Sequence, residues 1–479
     1  MKATTDVDRM DDSSSLPTGW TWATVDQLAV AIQYGYTSSA RERRDGPRFL
    51  RITDIQEGKV DWEAVPSCDI PQGKFEKYRL ALGDLLFART GATTGKSYLI
   101  KDCPEAAFAS YLIRLRLTSS VMPEYVFAFF QSSAYWKQIE EGKRGIGQPN
   151  VNARILGRIL IPLPPVSEQR RIVEEIEKQF TRLDSGVAAL TAVQSRLKTY
   201  RASLLKAACG GDLVPGEAEI ARAQTRDYEP GNVLLERVLR ERRTSEGKND
   251  KYHERLANLP GLPEGWCWAT VEQVAMNFDS RRIPLKEQER DRRPGPYPYY
   301  GASGIIDYVD DYLFDGDFLL VAEDGANLLS RRTPIAFPAS GRFWVNNHAH
   351  VVQTIGEIPL TYLEISLNGY DLEFNVTGSA QPKLTQASLN SIAVPLPPLA
   401  EQRRIVAEVE RRLSVVKALE RSVVDNLKRA ERLRNSILEL AFQGKLAPQN
   451  PQDEPANLLL ERVQIERGDR QHGNARLRS

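Results

Sequence analysis

The sequence predicts an α+β fold: two mixed α/β heads separated by two long antiparallel coiled-coil helices, the whole pseudo-twofold symmetric. Three observations predict it. PLPPVSEQRRIVEEIE (162–177) and PLPPLAEQRRIVAEVE (395–410) agree at twelve of sixteen positions. Each copy opens a run of roughly 40 residues with apolar side chains at steps of three or four, the signature of one helix face. Ahead of each copy lies a long stretch, 30–147 and 276–380, and the two do not align with each other.

Taken in order, the first head opens with LPTGWTWATVDQLA (16–29), whose twin LPEGWCWATVEQVA (262–275) opens the second; ten of fourteen positions are identical. Its body alternates β-like runs (RFLRITDI, GDLLFART, SYLIRLRL) with Gly and Asp turns and holds a helical stretch at 123–139. The first long helix follows Pro165, with a seam running Ile172, Ile176, Phe180, Leu183, Val187, Leu190, Val193, Leu197, Tyr200 and Leu204, and stops at Gly210-Gly211. The second head repeats the β-like pattern in DFLLVAED, RRTPIAFPA and HVVQTI. The second helix carries a seam from Ile405 through Val409, Leu413, Val416, Leu419, Val423, Leu427, Ala430, Leu433 and Ile437 to Leu440, and stops at Gly444. A helix so long with one apolar stripe needs a partner, and the other copy packed antiparallel is the simplest one.

A third block, EPGNVLLERV (229–238), precedes the second head, while its twin EPANLLLERV (454–463) lies near the end of the chain. That order suggests a ring, in which the C-terminal segment folds back near the N-terminus. The alternative is two beads on a string with a loose tail.

Length predicts two to four domains at about 100–200 residues each. Hydrophobic residues make up 41% and charged residues 27% of the 479, ordinary for a globular protein. The polar N-terminus lacks the apolar core of a signal peptide, and no run is apolar enough to span a bilayer, so the expectation is a cytoplasmic protein without a membrane partner. Cys68, Cys103, Cys209 and Cys267 form no CxxC pair, which argues against a zinc site or a disulfide framework. The net charge of +1 does not advertise a nucleic-acid binder. Locally, 41–51 holds five arginines against Glu42 and Asp45, and 281–293 holds six cations against three acids. Phosphate contacts need such local excess, although a self-neutralising solvated run would read the same way.

Candidate base-edge readers are polar groups on Gly-rich loops, because Arg grips guanine and Asn or Gln grips adenine, while Lys suits phosphate. In the first head these are Tyr36, Thr37, Arg41, Arg43, Arg89, Thr93, Thr94, Lys96, Arg144, Gln148 and Asn150; in the second, Ser280, Arg281, Arg282, Ser303, Asn327, Asn346, His348, Gln381 and Lys383. Each could equally be an ordinary surface group.

The duplicated PLPPxxEQRRIV helices, the paired LPxGW openings and the two unlike heads resemble the specificity subunits of type I restriction–modification systems. The stretches 299–325, 346–350 and 83–96 are similar to that family's target-recognition domains. The resemblance covers nearly the whole chain and implies these bounds: 1–15 disordered N-terminus, 16–161 target-recognition domain 1, 162–212 first long helix, 213–261 linker with a short helix, 262–394 target-recognition domain 2, 395–446 second long helix, and 447–479 C-terminal helix and tail folding back toward domain 1. It implies a non-catalytic DNA reader of a bipartite, asymmetric double-stranded target. Its partners would be two methyltransferase subunits and motor–nuclease restriction subunits, and S-adenosylmethionine, ATP and Mg would belong to those partners. A rod of fixed length would set the gap between the two half-sites.

The motifs agree with that. A P-loop needs four residues between its glycines, and Gly91 and Gly95 are separated by three. The adenine-methylation motif Asn/Asp-Pro-Pro-Tyr/Phe is absent. His348 and His350 alternate on one strand face without further ligands, so a structural or DNA-contacting role is expected rather than metal binding. Glu323-Asp324 beside Gly325 reads as a loop element or a cytosine contact. The competing readings are a single-chain enzyme, a coiled-coil scaffold without DNA function and a stand-alone DNA-binding protein.

Overall fold

The computed structural model describes residues 16–42, 46–56, 58–91, 93–143, 150–243, 256, 259–371, 375–378 and 381–465. The chain divides into two compact units: Met1–Leu190 with Asp425–Ser479, and Thr191–Val424. Among the described residues, no helix is long and apolar enough to cross a membrane. The four cysteines are free.

In the first unit, ATVDQ of the opening block ends a strand and starts a helix. Thr24 accepts from the Gln27 N–H while the Gln27 amide accepts from the Thr24 N–H. Thr270 and Gln273 form the same reciprocal cap in the second unit. Each cap satisfies two backbone donors that a helix start leaves unpaired, which explains why this block is duplicated. The strand before each cap pairs antiparallel with the strand before each long helix: Thr21–Thr24 with Leu160–Leu163, and Cys267–Thr270 with Ala393–Leu396.

The two heads share a four-stranded antiparallel sheet that their sequences conceal. In the first unit the order is Ala29–Tyr34, Leu112–Leu117, Leu85–Ala88, Ser97–Leu99; in the second it is Ala275–Asn277, Ala349–Thr354, Phe314–Ala322, Ala336–Val345. The first unit adds a separate sheet made of Ala106–Phe108, Arg48–Leu50, Ser67–Cys68 and Ala40–Arg41. The second extends its sheet with the hairpin Pro294–Gly301/Gly304–Val309.

The long helices are Val166–Gly210 and Leu399–Phe442, 45 and 44 residues. They run antiparallel. In the first unit the Arg434 guanidinium lies 4.2 Å from the Phe180 ring centroid, and in the second Tyr200 bonds Arg412. Ile176, Leu197, Val416, Val423 and Leu438 are buried along the seam. The expected seam is too broad, however, since Val193, Tyr200, Leu419, Leu433 and Leu440 stay exposed. A two-helix contact buries a narrow line, and residues flanking it face outward.

One corner recurs in both units. The Trp20 indole donates to Glu168 at 3.0 Å, and Trp266 donates to Glu401 at 3.0 Å. One turn later Arg171 grips the Pro448 carbonyl and Asp453, as Arg404 grips the Pro215 carbonyl and Glu217. The Ala456 N–H donates to the Gly19 carbonyl at 2.9 Å, and the Gly231 N–H to the Gly265 carbonyl at 2.7 Å. A Cβ at Gly231 would stand 2.1 Å from the Leu396 carbonyl oxygen, so the backbone itself approaches there. The helix at 456–465 thereby joins the first unit, where Ala456, Leu459 and Val463 enter the same core as Trp20, Tyr125, Ile172 and Phe442. In the second unit Leu234 and Val238 do this beside Trp266, Tyr362 and Ile405.

Candidate nucleic-acid interface

In the second head three loops meet where the central strand Phe314–Ala322 ends. The Glu323 N–H donates to the His348 carbonyl at 2.9 Å, the Leu384 N–H to the Glu323 carbonyl at 2.7 Å, and the Gly325 N–H to the Pro382 carbonyl at 3.0 Å. These bonds fix 323–325, 346–350 and 381–384 against one another, and 279–282 packs beneath them.

The side chains there form a charged network. Arg282 donates to Glu323 at 2.7 Å and lies 3.3 Å from Asp279, and Lys383 reaches Glu323 at 3.2 Å. The fully buried His350 places Nδ1 2.5 Å from Asp279 and Nε2 2.8 Å from the Leu384 carbonyl, so both ring nitrogens face acceptors. Burial pushes both carboxyls up, but their partners outweigh it. The bond and charge of His350, the Val351 N–H and Arg282 hold Asp279 below its usual range. Arg282, His350 and Lys383 do the same for Glu323. Asp279, Glu323 and His350 offer ligand atoms within 4.8 Å of one another. The donor set nevertheless suits an ion network better than a metal, because Arg282 supplies the cation and no nitrogen of His350 points to open space.

The exposed His348 and Lys383 crown this network. His348 is held through Nδ1 by Asp324 at 2.7 Å, leaving Nε2 outward, and Lys383 is held by Glu323. Consecutive carboxylates of one turn therefore hold both side chains. Gln381 is exposed beside them. Exposed Ser303 lies in the hairpin whose Tyr300 carbonyl accepts from the Asn346 N–H at 3.0 Å.

The sheet register maps this site onto the first head. Leu112 pairs with Ala88 as Ala349 pairs with Ala322. The Val151 N–H donates to the Arg89 carbonyl, and the Arg89 N–H to the Tyr111 carbonyl, both at 3.0 Å. Arg89 thus occupies the place of Glu323, Tyr111 that of His348, Ile113 that of His350, Tyr34 that of Asp279, and Asn150 that of Lys383. There the chemistry differs. The Arg89 guanidinium lies 5.0 Å from the Tyr34 ring centroid, and the Tyr34 hydroxyl accepts from the Ala153 N–H. Tyr111 is 62% exposed at this junction, a position that sequence reasoning did not single out. Only the register of distant strands places it at the loop junction.

The remaining candidates divide. Thr37, Arg41 and Lys96 are exposed, with Arg41 paired to Asp69, and Thr93 is half-buried. Tyr36 is half-buried and packs against Tyr78. Ser280 is exposed, while Arg281 covers the Phe314 ring and donates to the Leu313 carbonyl, at the far end of the central strand. Arg43, Arg144 and Gln148 lie outside the described residues.

In four further candidates the fold itself engages the side chain. Arg282 is the counter-ion of Glu323 and Asp279. Asn346 is buried and accepts from the His348 N–H. The Asn327 amide is spent at both ends on the Thr333 backbone. The buried Thr94 hydroxyl donates to the Gly91 carbonyl at 2.6 Å. The basic run 281–293 is likewise largely self-paired, with Arg290 on Asp307 and Arg293 on Asp310, and so offers less phosphate-binding charge than its composition suggests.

Comparison with known proteins places this geometry in context. The family described as the type I restriction modification DNA specificity domain matches residues 24–187 and 263–421. The StySPI type I restriction enzyme specificity subunit of Salmonella potsdam is 25% identical over 94% of this chain and 96% of its own length. A putative type I restriction enzyme specificity subunit of Haemophilus influenzae is 38% identical over 29% of this chain and 35% of its own length. A solved structure from work on complex assembly and conformational transition of a type I restriction–modification system aligns with a TM-score of 0.63 at 19% identity, covering 90% of this chain and 99% of that one.

Proposed function

This chain belongs to the type I restriction–modification DNA specificity family, and from that premise we propose that it is the non-catalytic subunit that reads a bipartite, asymmetric double-stranded target, one half-site per head. The observation that carries this is the shared loop junction. Two backbone bonds of the clamp recur in both heads, while the groups on it differ: the exposed Tyr111 with the half-buried Arg89 and Asn150 in one, the exposed His348 and Lys383 in the other. A common mount with unlike readers suits two unrelated half-sites.

The chain would work in the cytoplasm with two methyltransferase subunits and with motor–nuclease subunits. S-adenosylmethionine, ATP and Mg would act in those partners. The outward apolar residues of the long helices, Val415 and Leu419 among them, suit a docking partner.

The test is selection of random duplexes on the full-length chain, followed by sequencing. Two constant blocks separated by an indifferent gap are expected. One uninterrupted block, or no enrichment, would remove the two-reader proposal. Methyl transfer by the purified chain alone would refute the non-catalytic assignment.

A further inference from the structure

A cleft of about 170 Å³ in the second unit lies between the first long helix and the head. Lys198 and Arg201 of the helix line it together with Arg332 of the loop after the central strand, over a floor that includes Leu413. Lys198 and Arg332 are exposed, and neither forms an ion pair among the described residues. Arg331 adopts a left-handed φ of 49° and donates to the Leu367 and Tyr370 carbonyls near the end of the helix Leu360–Gly369. That anchors the loop and leaves the neighbouring Arg332 at the cleft. Glu364 is the acid within the cleft. Burial raises its carboxyl, Glu410 adds to this, and Lys417 and Arg201 oppose it.

The internal repeat supplies a control. At the 233-residue offset, Arg201 corresponds to Arg434, Lys198 to Glu431, Leu413 to Phe180 and Lys417 to Asp184. In the first unit Arg434 is bonded to Asp184 and lies over the Phe180 ring, so its charge is already engaged. In the second unit both acids are replaced by lysines and the phenylalanine by a smaller leucine. One opening and two charge reversals coincide at one place.

We propose that this cleft is a phosphate-binding site present only in the second unit, formed by Lys198, Arg201 and Arg332. The ligand is a phosphate group, from the DNA backbone or from free inorganic phosphate. Arg332 lies on the stretch that begins with the Glu323-Asp324 turn, which favours the backbone source. The DNA arm rests on the reading of the chain as a DNA binder, and the free-phosphate arm does not.

The experiment compares the full-length chain with Lys198→Ala/Arg332→Ala, two exposed positions, after thermal melting confirms an unchanged fold. Inorganic phosphate is titrated calorimetrically, and binding of the selected duplex is measured against salt. Loss of phosphate binding by at least tenfold, a fall of about one in the slope of log K against log salt, or both, supports the site. A lowered slope identifies the backbone source; lost heat with an unchanged slope identifies free phosphate. Phosphate binding that is unchanged in the variant, or absent from the original chain, together with an unchanged slope overturns the proposal. If the original chain binds no duplex at all, the DNA-reading function fails, and the phosphate titration still decides the cleft.

Discussion

At the end of the central strand the first head puts Arg89 on the face of Tyr34, with Ile113 beneath; the second puts Glu323, Asp279 and His350 at those places and adds Arg282 and Lys383. Two of the backbone bonds that clamp the sites recur in both heads. The difference teaches that the fold asks of these positions only a clamp between strand end and exit segment. Side-chain chemistry is left open, provided each head satisfies its own charges. The first does so with half-exposed groups that water and a ring can stabilise. The second buries its ions and must pair all of them.

The largest break in this comparison is expected from Arg282→Ala. Removing one member of a buried ion network costs about 3–5 kcal/mol, whereas Arg89→Ala removes a cation–π contact of about 0.5–1 kcal/mol. Denaturant unfolding with hydrogen exchange should locate the larger loss in the second head. Equal losses would mean that the two sites are energetically alike.

A second effect concerns reading. His348→Ala and Tyr111→Ala should each weaken discrimination by about 1–3 kcal/mol, the former in one selected block and the latter in the other. A change in both blocks from either variant would show that the heads are not independent.

The smallest effect is a difference in acid. Asp279 and Glu323 are held below their usual range, so their contribution is complete above about pH 4 and is lost as pH falls through the lowered values. Burial instead raises Glu168 and Glu401 in the two repeated corners, and their contribution is lost as pH rises. Acidification therefore acts alike on the two corners, easing Glu168 and Glu401 while loosening Asp453 and Glu217 from their arginines, and dismantles the loop network in the second head. Protection factors around 346–350 should fall below about pH 4 before those around 111–113; the reverse order would contradict the assignment.

Much of this architecture was legible in the sequence. The long helices follow from local periodicity, and the duplicated corner follows from identity at Trp20/Trp266, Glu168/Glu401 and Arg171/Arg404. The shared sheet was not legible, because strand register is fixed by contacts across the whole head and the two heads retain little common sequence. For the same reason Tyr111 went unseen. The internal partners of Arg282, Asn346, Asn327 and Thr94 are not legible either, because a polar residue on a loop looks the same in sequence whether it faces water or its own backbone.

The segment at 456–465 closes the first unit, and this has a consequence for synthesis. Arg171 leaves the ribosome 282 residues before its partner Asp453. At about 5–20 residues per second, that is an interval of tens of seconds. The half that is made first is thus finished last. Until release, Trp20, Ile172 and their neighbours lack part of their cover, while the second unit already holds all its pieces. A nascent chain of this design should occupy chaperones through its first half, and premature termination near residue 450 should spare the second head and ruin the first.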